Sequence, residues 1–360
     1  MKKNICFLVG NLNNPGGTER VSSAIANELA NLDFNIHMLS ICEGQNPFFS
    51  LSNKIEVSNI FDKTKSMIFN SLLLICKIRN FVIKNCIDTL VVVDSISCVF
   101  TTPALFGLNI KHICWEHFNF NEDLGVRYRK WGRILAGKYC DKIITLTHKD
   151  KSLWLKNIPN SNLSEKIIVI PNPNPYENMQ FVSKNKSNRV LAVGRLTHQK
   201  GFDLLIHARA LVCKHNSDRI LTIVGNGPDE NNLKELAISL EVDSRIEFLP
   251  ATKNIEFYYR NSSFFCLSSR YEGFGMVILE AQALGLPVVS FDCDCGPSDL
   301  IKHDENGYLV DPGNYQSLAE NLLKMINLPE ENFIKFSKNS IESANKLNIN
   351  NLIPNWLSIL

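Results

Sequence analysis

Close to its midpoint the 360-residue chain reads Pro171-Asn172-Pro173-Asn174-Pro175, a run that neither a helix nor a central strand can contain. Each proline lacks a backbone donor and restricts the residue before it to extended conformations. The run therefore ends whatever precedes it and acts as a linker. A chain of this length is comfortable as two domains, and the pattern on either side agrees.

Before the linker, apolar runs alternate with segments of helical period. Strand character marks Ile5 to Gly10, Asn35 to Ser40, Ile55 to Val57, Asp88 to Asp94, Lys111 to Trp115, Asp141 to Leu146 and Lys166 to Ile170. A helix is predicted from about Thr18 to Leu32, with Val21, Ala24, Ile25 and Leu29 at helical spacing, and another over roughly Ser66 to Lys84. Val91-Val92-Val93 is continuous and β-branched, as in a parallel strand buried on both faces. After the linker, strands near Arg189 to Gly194, Ile220 to Val224, Arg245 to Leu249 and Ser263 to Leu267 alternate with helices near Phe202 to His215 and Asn231 to Leu240. Such alternation predicts two doubly wound α/β domains, residues 1–172 and 173–345, followed by a terminal segment 346–360.

The last of those strands runs into Arg270 to Ala281, R-Y-E-G-F-G-M-V-I-L-E-A. A strand that ends in a glycine turn and passes into a helix aims the first helical N–H groups at the sheet edge, which makes an anion site. Gly273 and Gly275 remove side chains where a ligand must approach, and the amides of Phe274, Gly275, Met276 and Val277 are candidates for cradling phosphate. Glu272 and Glu280 bracket the same helix start. Carboxylates there repel phosphate unless they face hydroxyls, so the pattern suggests a ligand with phosphate in the middle and a polyol at both ends, as in a nucleotide sugar.

This E-G-F-G-M-V-I-L-E run resembles the E-x7-E signature of the retaining glycosyltransferases of family 4. Pro15-Gly16-Gly17-Thr18-Glu19-Arg20, Val193-Gly194-Arg195-Leu196 with Gln199-Lys200-Gly201, and Phe291-Asp292-Cys293 with Gly296-Pro297-Ser298 resemble that family in the same order. The resemblance implies the GT-B architecture, two Rossmann-like domains facing across a cleft, with the terminal segment packing back on the first domain. It implies a hexosyl- or N-acetylhexosaminyltransferase that uses a nucleoside-diphosphate sugar, a UDP-sugar favoured, and an acceptor bound by the first domain. That acceptor is expected to be a glycan or lipid-linked oligosaccharide in bacterial surface polysaccharide or lipopolysaccharide assembly.

By the same resemblance Glu280 meets the ribose hydroxyls, Glu272 the donor sugar ring, and His117, after the strand ending in Trp115-Glu116, the sugar. A histidine at a strand end is otherwise a satisfied scaffold residue. Gly16 and Gly17 permit approach of the donor diphosphate, or merely turn a strand into a helix. Asn226, in Asn226-Gly227-Pro228, faces the same edge as the E-x7-E helix. Departure of the diphosphate builds negative charge that something must take up; Arg195 and Lys200, five residues apart past a strand, are suited to it as a fork and a point charge. Asp292-Cys293-Asp294 matches the D-x-D of metal-dependent glycosyltransferases, but that motif belongs to a single-domain architecture. With two cations available to the phosphates, no metal and no cofactor beyond the nucleotide-sugar co-substrate is expected. Asp294 and Cys295 depart from the family pattern before Gly296-Pro297.

Other classes fit less well. A dinucleotide-dependent oxidoreductase needs G-x-G-x-x-G after the first strand, which Gly10-Asn11-Leu12-Asn13-Asn14 does not supply. A non-catalytic nucleotide-sugar or glycan-binding module requires less than Arg195, Lys200, Glu272 and Glu280 together. Eleven cysteines, with no C-x-x-C, read as reduced thiols, and Cys293 with Cys295 is too small a ligand set for a metal. Neither a signal peptide nor an apolar run of spanning length is present, so a cytoplasmic protein is expected.

Residues 1–172 carry an excess of six positive charges and residues 173–360 an excess of four negative ones. Arg127, Arg129, Lys130, Arg133 and Lys138 crowd one segment with Tyr128, Trp131 and Tyr139. This reads either as a solvated helix face or as a surface resting peripherally on the anionic inner face of the cytoplasmic membrane. No base-stacking module suggests nucleic acid.

Overall fold

The structure, a computed structural model, describes residues 2–64, 69–123, 125–159, 161–177, 187–215 and 218–360. The chain divides into two compact units, residues 1–173 with 349–360, and residues 174–348. The first boundary falls inside the proline run, and the second lies three residues beyond the sequence-based one.

The first unit is built on a seven-stranded sheet: β1 (Asn4–Val9), β2 (Asn35–Cys42), β3 (Ile55–Phe61), β4 (Thr89–Val93), β5 (Lys111–Trp115), β6 (Lys142–Thr145) and β7 (Ile167–Val169). The order is β3-β2-β1-β4-β5-β6-β7, parallel throughout. β4 is buried along its whole length, as its Leu-Val-Val-Val composition demands. The helix predicted over Ser66 to Lys84 is observed as Ser71–Lys84; residues 66–68 of that expectation lie outside the described residues. A helix over Cys98–Leu105, with Pro103 inside it, follows β4. The terminal helix Ile349–Leu357 packs against the Gly17–Asn31 helix of this unit, its Trp356 ring centroid 4.6 Å from Trp115 and 6.1 Å from Phe7.

The second unit has six parallel strands: β8 (Arg189–Val193), β9 (Ile220–Val224), β10 (Ile246–Leu249), β11 (Phe264–Leu267), β12 (Val288–Phe291) and β13 (Gly307–Val310). Their order is β10-β9-β8-β11-β12-β13. The strand order turns back between β8 and β11, and in an open parallel sheet ligands bind beyond the carboxyl ends of the strands at such a point. The loops carrying Lys200 and Glu272 are the ones that leave β8 and β11.

Candidate functional site

In the second unit the loop after β8 and the loop after β11 are fastened to each other by bonds that no motif announces. The Arg270 N–H donates to the Gln199 carbonyl at 2.8 Å, the Gln199 side chain donates to the Tyr271 carbonyl at 3.2 Å, and the Ser268 hydroxyl to the Lys200 carbonyl at 2.9 Å. Arg270 also forks onto Asp203, at 2.8 and 2.6 Å, and reaches the His198 carbonyl. Burial works against the Asp203 carboxylate, but the Arg270 fork outweighs it and holds its pKa below the ordinary value. Gly201, at φ +61°, is pressed against Ser268; a Cβ there would run into the Ser268 carbonyl.

This stitching sets Lys200 on Glu272. The ammonium lies 2.6 Å from a carboxylate oxygen that also accepts from the Ser269 hydroxyl at 2.7 Å, and only 14% and 9% of the two side chains are exposed. The Lys200 stem crosses Gly194, where an added Cβ would come within 3.2 Å of it. Arg195 is exposed, and its side chain makes no hydrogen bond or ion pair among the described residues.

Gly273 and Phe274 lead into Gly275, which has φ +85° and caps the helix Met276–Ala283, with Met276 and Val277 in its first turn. Glu280, near the end of that helix, is buried and accepts from the Tyr259 hydroxyl at 2.9 Å. Sequence reasoning missed Tyr259, whose apolar surroundings in Phe257-Tyr258-Tyr259 carry no signal of a polar task. Asn226 spends its side-chain oxygen on the Ala251 N–H, 2.5 Å away, and its carbonyl on Leu196. It thus ties β9 and β10 loops to the β8 loop. Asp294 is exposed, whereas Asp292 keeps one carboxylate oxygen buried with no partner among the described residues. Burial and the nearby Glu272 charge raise the Cys293 thiol pKa, and Lys200 opposes them.

The remaining sequence-predicted residues belong to the first unit. Gly16 caps the Gly17–Asn31 helix after β1, and His117 follows β5, so all three lie at the carboxyl edge of one sheet. His117 is buried, 4.6 Å between ring centroids from Trp115, and its Nε2 has no partner among the described residues. Burial pushes its pKa down to about 3, so the ring is neutral.

Glu116 organises this end of the sheet. One of its carboxylate oxygens accepts the backbone N–H of His117 and Phe118, both at 3.1 Å, and the other accepts from Ser95 at 2.5 Å and from Arg133 at 3.1 Å. Arg133 further donates to the carbonyls of Asn119, Phe120 and Glu122. Arg129 pairs with Asp94 at 2.6 Å and lies over the Phe118 ring. The expectation of five surface cations is therefore corrected. Arg129 and Arg133 are buried in the helix Tyr128–Tyr139, facing inward because Glu116 and Asp94 would otherwise be uncompensated charges in the core. Arg127, Lys130 and Lys138 are exposed, beside Tyr128, Trp131, Ile134 and Tyr139.

Comparison with known proteins finds glycosyltransferases over both units. Residues 15–174 match the family model described as Glycosyltransferase Family 4, and residues 176–346 the one described as Glycosyl transferases group 1. An uncharacterized glycosyltransferase of Haemophilus influenzae is 38% identical over 358 residues, 99% of this chain and 100% of its own. The amylovoran biosynthesis glycosyltransferase AmsD of Erwinia amylovora is 30% identical over 325 residues, 87% of this chain and 86% of its own length. Among solved structures, Anabaena HepE in complex with UDP and glucose has a TM-score of 0.80 at 20% identity, covering 99% of both chains.

Proposed function

We propose a reaction for a chain that belongs to glycosyltransferase family 4 and has the GT-B fold: transfer of a hexosyl or N-acetylhexosaminyl group from a UDP-sugar, with retention and without a metal, to a glycan or lipid-linked oligosaccharide. The observation that carries this reading is the buried Lys200–Glu272 pair beside the glycine-capped start of the Met276–Ala283 helix. A cation and a helix start suit a diphosphate, and the carboxylates of Glu272 and Glu280 suit sugar and ribose hydroxyls.

In the reaction the bond from the anomeric carbon to the departing phosphate oxygen breaks, and a bond to the acceptor hydroxyl oxygen forms on the same face. The acceptor proton passes to the departing phosphate oxygen, so no dedicated base is needed. Lys200 and Arg195 take up the charge growing on that phosphate, where fixed charge is worth most. The orphaned, neutral Nε2 of His117 is suited to a sugar hydroxyl. HepE in complex with UDP and glucose supports the choice of base, and the role of AmsD in amylovoran biosynthesis supports a surface polymer as product.

The first unit is taken as the acceptor side. Arg127, Lys130 and Lys138, with the 61% exposed Trp131, form a face suited to anionic lipid; no helix among the described residues is long and apolar enough to cross a membrane. A screen of nucleotide sugars with released nucleoside diphosphate as readout, in excess EDTA, tests the core of the proposal. Release from a UDP-sugar in EDTA is expected. Activity that disappears in EDTA and returns with manganese would return Asp292 and Asp294 to a metal-binding role.

A further inference from the structure

Within the largely aliphatic core of the first unit, thiols gather around one buried histidine. There Cys98, at the start of the Cys98–Leu105 helix, Cys140, just past the Tyr128–Tyr139 helix, and His112 and Cys114 of β5 meet, all of them buried. His112 and Cys114 are two residues apart on a strand, so they share a face. The donor atoms of Cys98, His112 and Cys140 lie within 4.8 Å of one another. The Cys98 and Cys140 sulfurs are 4.0 Å apart, and the Cys140 sulfur is 3.5 Å from His112 Nδ1. Cys114 shares a hydrogen bond with Cys98.

We propose that Cys98, His112 and Cys140 hold a thiophilic divalent cation, zinc, in a structural site whose fourth position is closed by Cys114, the hydrogen-bond partner of Cys98. Tetrahedral zinc with bonds of about 2.3 Å to sulfur and about 2.0 Å to nitrogen sets sulfur–sulfur edges near 3.8 Å and sulfur–nitrogen edges near 3.5 Å, close to the spacings among Cys98, Cys140 and His112. The histidine is also oriented for the task. The Thr101 hydroxyl donates to the Ser97 carbonyl at 3.2 Å, so its oxygen is left to accept from His112 Nε2, 3.0 Å away. That bond keeps the proton on Nε2 and turns the lone pair of Nδ1 toward Cys140, the arrangement a ligating imidazole requires. The His112 backbone N–H donates to the Asp141 carboxylate at 2.7 Å, which fixes β5 against the chain at Cys140. Three sulfurs and one imidazole select zinc over magnesium or calcium, which take oxygen ligands. The spacing C-x13-H-x-C-x25-C matches no familiar zinc pattern, so the fold alone assembles the set.

The ion would clamp both helices to β5, whose carboxyl end presents Glu116 and His117, while the Tyr128–Tyr139 helix supplies Arg133 to Glu116. The test is the metal content of the full chain produced in zinc-supplemented medium, measured by mass spectrometry after exhaustive dialysis. About one zinc per chain is expected, released when a mercurial modifies the thiols, and the unfolding temperature should fall on its removal. Cys140→Ser and His112→Gln should lose the zinc; replacing the exposed Cys76 and Cys86 with serine should not. Because the core variants can fail to fold, a second measurement uses unaltered chain refolded from denaturant with cobalt chloride, which should give the visible absorption of tetrahedral thiolate-bound cobalt. Fewer than about one zinc per ten chains, together with no such absorption, would overturn the proposal. So would a Cys98–Cys140 disulfide in zinc-free protein.

Discussion

Replacing Lys200 by Met separates the two tasks assigned to that side chain. Methionine keeps the stem over Gly194 but removes the charge, which leaves Glu272 buried without its cation, while the Ser269 hydroxyl still donates to it. Removing one member of a buried pair costs about 3–5 kcal/mol, and the retained Ser269 bond favours the lower end. Loss of a charge that stabilises a departing phosphate lowers turnover roughly 10²–10³-fold. The double variant Lys200→Met with Glu272→Gln removes both charges, so its stability should return to within about 1 kcal/mol of the parent while turnover stays down. All four tryptophans, Trp115, Trp131, Trp154 and Trp356, belong to the first unit. Their fluorescence therefore reports that unit, whereas circular dichroism reports both. In urea, Lys200→Met should move the dichroism transition and leave the fluorescence transition in place. Unchanged stability in the single variant, or recovered turnover in the double variant, would refute the reasoning.

Arg195→Ala should lower kcat/KM about 10²-fold or more yet change stability by no more than about 0.5 kcal/mol, because the side chain is exposed; a fall in turnover matched by unfolding at assay temperature would count against it. Neutralising Arg127, Lys130 and Lys138 together should weaken binding to anionic vesicles by roughly 3 kcal/mol, about two decades, with donor hydrolysis unchanged. Sedimentation with neutral vesicles as readily as with anionic ones would argue against a lipid-facing surface. His117, held neutral with a pKa of about 3, opposes protonation that the unfolded chain accepts below about 6.5. Its contribution to stability falls by about 1.4 kcal/mol per unit as pH drops through that window, so the advantage of the parent over His117→Asn should shrink from pH of about 7 to about 4. A difference independent of pH would refute it.

Most strands were legible because parallel strands buried on both faces must be written in continuous apolar residues, as in Val91-Val92-Val93 and Phe264-Phe265-Cys266-Leu267, whereas β12 and β13 had no sequence-based expectation. The glycine-rich turn before Met276 was legible because few other residues adopt the backbone of Gly275. The fate of Arg129 and Arg133 was not. On the helix Tyr128–Tyr139 they read as surface charge, and only the approach of β4 and β5, with Asp94 and Glu116 at their ends, turns them inward. Pairing of that kind is set by residues more than ten positions away, which no local period encodes. The Cys98, His112, Cys114 and Cys140 cluster was hidden for the same reason.

Buried charge at the carboxyl edge of the first sheet does not balance, and the imbalance has a direction. Three carboxylates, Asp94, Glu116 and Asp150, face two guanidiniums, Arg129 and Arg133. Glu116 takes the best partners, so the surplus falls on the other two. Burial, then repulsion from Glu116, raises Asp94 to about 6 and Asp150 to about 7, against the pull of Arg129 and Arg133. A carboxyl whose folded pKa is raised contributes stability that is complete below its unfolded pKa and lost as pH rises through the folded one. For these two the loss falls between roughly pH 4 and 7, opposite in sign to the trend of His117 over the lower part of the same range. One histidine offsets only one of these two carboxyls, so over roughly pH 4 to 6 the three groups together raise the stability of the parent by about 1.4 kcal/mol per unit on acidification, and Asp150→Asn, which removes the larger of the two carboxyl contributions, should flatten that slope. A parent and an Asp150→Asn variant with the same slope between pH of about 4 and 7 would mean that the surplus proton resides elsewhere.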